Sequence, residues 1–147
     1  MKDLISYILE NNLDLMKKNH VLVVVKPGFQ HLLEELCKIF KINGYEIIKT
    51  KTKRLLLEES KKLYIIHKKE EFYKSLCEYM SSDITTAFIL KKKSDNIFEE
   101  FGKLKDNIRE KYGESEMRNV LHSSDSYKNF THEAGIYFYN VNQIDLL

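Results

Sequence analysis

Residues 21–26 constrain the fold more than any other part of the chain. Their sequence, Val-Leu-Val-Val-Val-Lys, is a nearly continuous β-branched run, which is typical of a strand buried on both faces. Pro27 and Gly28 follow directly and predict that the strand ends in a tight turn. A chain of 147 residues makes one domain, or one domain with an appendage. It is long enough to bury a sizeable core without disulfides or metal.

Hydrophobic periodicity predicts the remaining elements. Helical spacing indicates an amphipathic helix over residues 3–18, a second helix that ends at Asn43-Gly44, and helices over 55–64, 70–80, 94–104 and 125–138. Further strands are predicted over 45–53 and 84–90, and the two apolar residues at 120–121 indicate a short fourth strand. We expect Ser94 or Asp95 to cap the helix over 94–104, and residues 105–118 to be polar and irregular.

Without the N-terminal helix, the predicted order is β-α-β-α-α-β-α-β-α. Four strands with helices gathered on one face are typical of the ferredoxin-like α+β plan, which has a four-stranded antiparallel sheet. We expect residues 1–20 to form a helical extension and residues 21–147 the main domain. The same plan occurs in enzymes, metal binders and RNA-binding modules, so it does not determine a function.

Composition and the short apolar runs exclude several classes of protein. The 24 basic and 22 acidic side chains leave a net charge of +2, too balanced for binding nucleic acid by bulk charge alone. The apolar runs are far shorter than a membrane span, and the N-terminus resembles neither a secretory signal nor a transit peptide. The two cysteines belong to no CxxC motif, which argues against a structural zinc site. We therefore expect a cytoplasmic protein without a membrane partner.

Two segments contain residues suited to chemistry. Lys26 ends the buried strand beside a predicted helix N-terminus, where a cation would favour an anionic ligand. His122 lies at the end of a short predicted strand, directly before a Ser-Ser-Asp-Ser turn. A neutral imidazole is nucleophilic near pH 7, and neighbouring hydroxyls and amides can hold transferred oxygens. The pattern favours phosphate chemistry, with a structural or simply exposed histidine as the alternative.

These segments resemble motifs of one enzyme family. Val-Lys-Pro-Gly-Phe-Gln at 25–30 resembles the strand-end lysine motif of nucleoside diphosphate kinases, and Asn-Val-Leu-His-Ser-Ser-Asp-Ser at 119–126 resembles their active-site motif. Residues 63–64 and 72–82 resemble the helical hairpin that covers the nucleotide, and 133–138 the last helix. The resemblance covers about residues 20–140, and the histidine motif is its specific part.

The resemblance implies a ping-pong phosphotransfer. His122 would take the γ-phosphate from a nucleoside triphosphate and pass it to a nucleoside diphosphate through a covalent intermediate. Glu133 matches the glutamate that bonds the other ring nitrogen and fixes the tautomer. Mg²⁺ would arrive bound to the nucleotide phosphates, without a dedicated protein metal site. The family is oligomeric, so the resemblance also implies a homo-oligomer.

The resemblance also implies a set of nucleotide contacts. Lys26 and Asn119 match the residues that hold the ribose hydroxyls, with Lys26 also near the phosphates. Tyr64 and Arg109 match the groups around the transferred phosphoryl, and Ser124 matches the serine close to the histidine. Phe72 matches the aromatic that stacks on the base, with Leu76 beside it. Stacking accepts any base.

The chain departs from the family pattern on the phosphate side. The loop over 98–109 is several residues shorter and contains no proline or threonine, and Glu100 stands where the family has an inner-phosphate arginine. The sequence leaves open whether Lys103 or Lys105 supplies a replacement charge. Glu116 falls where an apolar residue usually faces the base, and Met117 where glycine is usual. Most of the family's C-terminal arm is absent, so the subunit number stays open.

Two other functions remain open from the sequence. A nucleotide-binding or regulatory relative with little turnover would fit the departures just described. An RNA-binding module on the same strand plan would fit the nine tyrosines, the eight phenylalanines and the row of Lys49, Lys51 and Lys53. No RNA-binding aromatic motif lies on the predicted strands, so specific nucleic-acid binding is not expected.

Overall fold

Helices and strands alternate along residues 19–138, the part of the chain that the computed structural model describes. The strands are β1 (His20–Val25), β2 (Glu46–Lys53), β3 (Thr85–Lys91) and β4 (Leu121–Ser123). The helices are α1 (Leu33–Ile42), α2 (Leu57–Leu63), α3 (Tyr73–Met80), α4 (Ile97–Tyr112) and α5 (Tyr127–Tyr137). The helix predicted over residues 3–18 lies outside the described residues.

The four strands form one antiparallel sheet in the order β2-β3-β1-β4. Val24 of the central strand pairs with Ala87 on one side and with His122 on the other. This topology confirms the ferredoxin-like α+β prediction. It also places the end of β1, where Lys26 follows, beside the short strand that carries His122.

Helices cover both faces of the sheet. Leu22 and Val24 of β1 pack with residues of α2, α3 and α5, whereas Val21, Val23 and Val25 pack with α1 and α4. The expectation that the helices gather on one face is therefore wrong. The prediction that β1 is buried on both faces is confirmed, because every residue of this strand is buried.

Helix α4 is longer than predicted. It begins after Asn96, whose side chain accepts a backbone N–H at 3.3 Å, so the predicted caps Ser94 and Asp95 lie outside it. It continues to Tyr112 because the apolar residues Phe101 and Ile108 lie on one face and are buried. The polar residues between them obscured this spacing in the sequence. Residues 105–112 are consequently part of a regular helix.

Strand β2 is an edge strand with a bulge between Ile47 and Lys49. Its residues are exposed or partly exposed, as the alternating pattern predicted. Lys53 forms an ion pair with Glu59 at 2.5 Å, so the lysine row is not a continuous free cationic surface. No helix within residues 19–138 is long and apolar enough to cross a lipid bilayer.

Candidate active site

A cavity of about 470 Å³ opens beside strand β4. It is lined by Lys26, directly after β1, and by side chains of the α2–α3 hairpin, α4, the loop before β4, β4 itself and α5. Most of the predicted site residues meet there: Lys26, Tyr64, Phe72, Leu76, Arg109, His122 and Glu133. The sheet topology explains the convergence, because β1 and β4 are neighbours and helices α4 and α5 pack against them.

The central pair of the cavity is His122 and Glu133. Nε2 of His122 lies 2.9 Å from Oε1 of Glu133, and the two side chains are 17% and 4% exposed. Helix α5 begins after Ser126, whose side chain accepts a backbone N–H at 3.1 Å, and it carries Glu133 back over the strand end. A carboxylate at Nε2 favours the tautomer with its proton on that nitrogen. Nδ1 then keeps its lone pair and is the nitrogen left for a substrate.

A strained turn leads into β4. Val120 has φ +79°, and the backbone N–H of Leu121 donates to the carbonyl of Asn119 at 3.0 Å. Together these define a γ-turn in a conformation that is rare for a β-branched residue. The side chain of Val120 is fully buried, and its carbonyl accepts the backbone N–H of Lys26 at 2.8 Å. Surrounding packing therefore holds the backbone immediately before His122, and such strain is often found at functional sites.

Three cationic side chains line the cavity. Lys26 is 4% exposed and donates to the carbonyl of Met117 at 3.2 Å. Arg109 of α4 donates from Nη2 to the carbonyl of Leu121 at 2.8 Å, directly before His122. Lys105 lies one helical turn before Arg109 and lines the same cavity. No carboxylate oxygen of residues 19–138 lies within 4 Å of these three groups.

Burial and mutual repulsion act on the cations. Burial, together with the neighbouring charges of Arg109 and Lys105, lowers the pKa of Lys26 to about 7. The pKa of Lys105 is also lowered, mainly by burial and secondly by the charge of Arg109. The cavity therefore concentrates positive potential beside His122, where a bound phosphate would offset it.

Tyr64 lies against the ring of His122. The two ring centroids are 5.3 Å apart at 71°, an edge-on contact. The hydroxyl of Tyr64 is buried and has no hydrogen-bond partner among residues 19–138. Burial raises the pKa of this phenol well above its ordinary value, so it remains protonated and can donate to a substrate oxygen.

The outer part of the cavity is aromatic and apolar. Phe72 is 44% exposed although it is a large apolar residue, and its ring centroid lies 5.3 Å from that of His67. Leu76 is buried below the opening, and Glu116 and Met117 also line the cavity. An exposed phenylalanine at a cavity mouth suits stacking on a planar ring.

The turn after β1 is supported from outside the cavity. Gly28 has φ +89°, and a Cβ there would lie 2.7 Å from Nη2 of Arg118. The guanidinium of Arg118 stacks over the rings of Phe29 and Tyr79, at 5.6 and 5.4 Å. The hydroxyl of Tyr79 donates to the carbonyl of Pro27. These contacts fix the direction in which Lys26 leaves the strand.

Two predicted residues, Ser124 and Asn119, do not line the cavity. The hydroxyl of Ser124 accepts the backbone N–H of Leu22 at 3.0 Å and is 1% exposed as a residue, so it ties β4 to β1. The side chain of Asn119 donates to the carbonyl of Glu116 at 2.7 Å, whereas its own amide oxygen has no partner among residues 19–138.

Sequence reasoning did not identify His67 and Ser123 as cavity residues, and it left Lys105 unresolved. The four-residue spacing between Lys105 and Arg109 would have indicated Lys105 if helix α4 had been predicted at its full length. His67 and Ser123 offered no such signal. Within residues 19–138, no group of three or more His, Cys, Asp or Glu side chains could hold a metal ion.

The chain is similar to known proteins along most of its length. The family model described as "Nucleoside diphosphate kinase" matches residues 19–142. The chain is 31% identical over 130 residues to the nucleoside diphosphate kinase of Fervidobacterium nodosum, covering 79% of this chain and 86% of that protein. It is 31% identical over 129 residues to that of Chlorobium limicola, covering 80% and 91%.

The fold has a solved counterpart of the same kind. The crystal structure of the Aquifex aeolicus nucleoside diphosphate kinase superposes with a TM-score of 0.72 at 27% sequence identity, covering 85% of this chain and 97% of that one. Together with the match of the family model to most of the chain, this similarity leads to one conclusion. The chain belongs to the nucleoside diphosphate kinase family.

Proposed function

We propose that the protein is a nucleoside diphosphate kinase whose phosphate carrier is His122. The observation that supports this assignment best is the 2.9 Å contact between Nε2 of His122 and the buried Glu133. It leaves Nδ1 with a lone pair inside a cavity that also contains three cations. A histidine held in this way is an oriented nucleophile and not merely an exposed side chain.

In the proposed first half-reaction, Nδ1 of His122 attacks the γ-phosphorus of a nucleoside triphosphate. The bond between that phosphorus and the bridging oxygen breaks, and the nucleoside diphosphate leaves. In the second half-reaction, a terminal oxygen of another nucleoside diphosphate attacks the phosphohistidine, and the P–N bond breaks. Glu133 holds the Nε2 proton throughout and stabilises the positive charge that the ring gains when Nδ1 is phosphorylated.

The remaining side chains would act on charge and position. Arg109, which bonds the carbonyl that precedes His122, and Tyr64, whose ring contacts that of His122, would hold the transferred oxygens. Lys26 and Asn119 would hold the sugar, with Lys26 also near the phosphates, and Ser124 would position the histidine strand. Phe72 and Leu76 would contact the base through surfaces that do not distinguish one base from another.

The chemistry of the carboxylates fits Mg²⁺ that arrives on the nucleotide. The acids that line the cavity are Glu116, Asp125 and Glu133. Glu133 is bonded to His122, and Asp125 accepts from Asn129 at 2.5 Å. Among residues 19–138, none of them belongs to a group that could hold a metal. When bound, Mg²⁺ spreads the charge of the phosphates, and Lys26 and Arg109 would hold the oxygens that the ion leaves free.

The test is a phosphoenzyme assay with γ-labelled ATP. We expect label on the protein that is lost in acid, and transfer of the label to added GDP. The variant His122→Ala should take up none. His132→Ala is the matched control, because His132 lies on α5 and bonds the carbonyl of Lys62 outside the cavity, so it should label normally. Label that persists in His122→Ala would contradict the proposal. Binding of ADP without any label would favour a nucleotide-binding relative with little turnover.

Assembly and location also belong to the proposal. We infer a homo-oligomer of 17.5 kDa subunits, in which residues 1–20 are an extension of the main domain over 21–147. Sedimentation of the full chain should give a multiple of the subunit mass. The proposed location is the cytoplasm, where the free cysteines Cys37 and Cys77 would stay reduced.

A further inference from the structure

Lys105 is a cation of the cavity that the family motifs do not assign. It lies four residues before Arg109 on α4, a spacing that places both side chains on one face of a helix. Both line the cavity that contains His122. Lys103, only two residues earlier, lines a separate open depression near the start of α4. The helix therefore directs one of these two lysines toward the active site and the other away from it.

The two other cations of the cavity already have protein partners. Lys26 donates to the carbonyl of Met117 at 3.2 Å, and Arg109 donates to that of Leu121 at 2.8 Å. Lys105 has no hydrogen bond or ion pair within residues 19–138. Its ammonium group is therefore available to a ligand.

The acids that face Lys105 do not neutralise it. Asp106, Asp125 and Glu133 are near enough to act on its charge, but no carboxylate oxygen of the described residues lies within 4 Å of its ammonium. Glu133 is held by His122 and Asp125 by Asn129. Bringing like charges together in a partly buried cavity is unfavourable unless an anion offsets them.

We propose that Lys105 binds the phosphates of the nucleotide that remain when the terminal phosphoryl has been transferred. This inference rests on the proposed function. Arg109 is tied to the carbonyl that precedes His122 and is committed to the reacting end. Lys105 lies four residues away, about 6 Å along the helix axis, and its ammonium has no such hydrogen bond. It is therefore placed to contact the non-reacting part of the phosphate chain.

The role follows from the length of α4. A continuous helix from Ile97 to Tyr112 presents Lys105 and Arg109 from one rigid element, whose adjacent face is anchored by Phe101 and Ile108 in the core. The separation of the two Cα atoms is thus fixed before any ligand binds. Preorganisation of the backbone strengthens binding because little loop ordering remains to be done.

Calorimetric titration in a His122→Ala background separates binding from turnover. Lys105→Ala should weaken binding of ADP by about 10-fold or more, as expected for loss of one charge-assisted hydrogen bond. Binding of adenosine, which has no phosphate, should be unchanged. Lys103→Ala is the matched control and should bind ADP as the parent does, whereas Lys105→Arg should recover most of the affinity.

Two results would overturn the inference. One is an ADP affinity of Lys105→Ala within twofold of the parent. The other is an equal loss of affinity for adenosine, since that would place the effect at the base or in the fold.

A second measurement keeps this inference separate from the proposed function. Phosphoramidate donates a phosphoryl group but has no inner phosphates, so Lys105→Ala with His122 intact should lose much more of its labelling rate with subsaturating ATP than with phosphoramidate. An equal loss of labelling with the two donors would contradict a role at the inner phosphates. If neither donor ever labels His122 in the unaltered chain, the proposed function fails, while the ADP titration still decides the role of Lys105.

Discussion

The low pKa of Lys26 predicts that nucleotide binding takes up a proton. With a pKa of about 7, Lys26 is about half neutral at pH 7 in the free protein. A bound phosphate stabilises the ammonium form and raises this pKa. Because the bound state holds more protons than the free state, affinity should fall as the pH rises above 7.

The magnitude follows from the fraction of protonated Lys26. That fraction falls from about one half at pH 7 to about one hundredth at pH 9. If the pKa of Lys26 in the ADP complex is about 10 or higher, ADP affinity falls by roughly 50-fold between pH 7 and pH 9. Binding at pH 8 then takes up about 0.9 proton at Lys26. The nucleotide phosphates are already ionised at pH 8, since their last pKa is near 6, and contribute little.

Proton uptake is measured by titrating ADP at pH 8 in buffers of different ionisation enthalpy, at a fixed Mg²⁺ concentration. Lys26→Arg keeps the charge but does not titrate in this range, so most of the uptake should disappear while strong binding persists at pH 9. The uptake that remains belongs to other groups, including Lys105. Equal proton uptake by Lys26→Arg and the unaltered chain would refute the argument.

Further predictions concern the orienting carboxylate and the turn after β1. Glu133→Gln keeps the side-chain volume but removes the negative charge beside His122. It should slow phosphoenzyme formation at least ~10-fold in a rapid-quench experiment. A parental rate would show that the carboxylate does not orient the ring. Gly28→Ala should lower the free energy of unfolding by about 1–2 kcal/mol in urea, because φ is +89° and the added methyl meets an arginine at 2.7 Å. Gly102→Ala is its control of opposite sign: it lies inside α4 with no atom within 4 Å of the added methyl, and should stabilise by about 0.5–1 kcal/mol. A loss of stability in both variants would contradict this contrast.

The strands and most helices could be predicted because local patterns agree with the final packing. The β-branched run of β1 indicated a strand buried on both faces, which is how it lies. Helix α4 was cut short in the prediction because residues 105–111 contain only one apolar side chain, Ile108. That single residue is buried against the sheet, and tertiary packing decides the conformation of the stretch. Local propensity is too weak to predict such a case.

The candidate site could be predicted in its residues but not in its geometry. The motif around His122 identifies the histidine. Which of its ring nitrogens contacts Glu133, and the burial of Lys26 and Ser124, depend on contacts between distant segments. Leu22 and Ser124, for example, are 102 residues apart and share a 3.0 Å hydrogen bond. Spacing along the chain contains no information about such contacts unless the register of the strands is already known.

The pairing of His122 with Val24 in the sheet has a consequence for how successive substrates are exchanged. A phosphoryl group on this histidine would be attached to a backbone that is bonded to the central strand, so it would stay in one place between the two half-reactions. In the proposed reaction, the nucleoside diphosphate product would leave and the acceptor would enter before the phosphoryl group is transferred again. The exposed side chains Ile66 and Phe72, which are 60% and 44% exposed, form the side of the cavity through which this exchange would occur. Turnover would then depend on how quickly nucleotides pass this entrance. The phosphorylated histidine would stay in place while two nucleotides bind to the same site in succession.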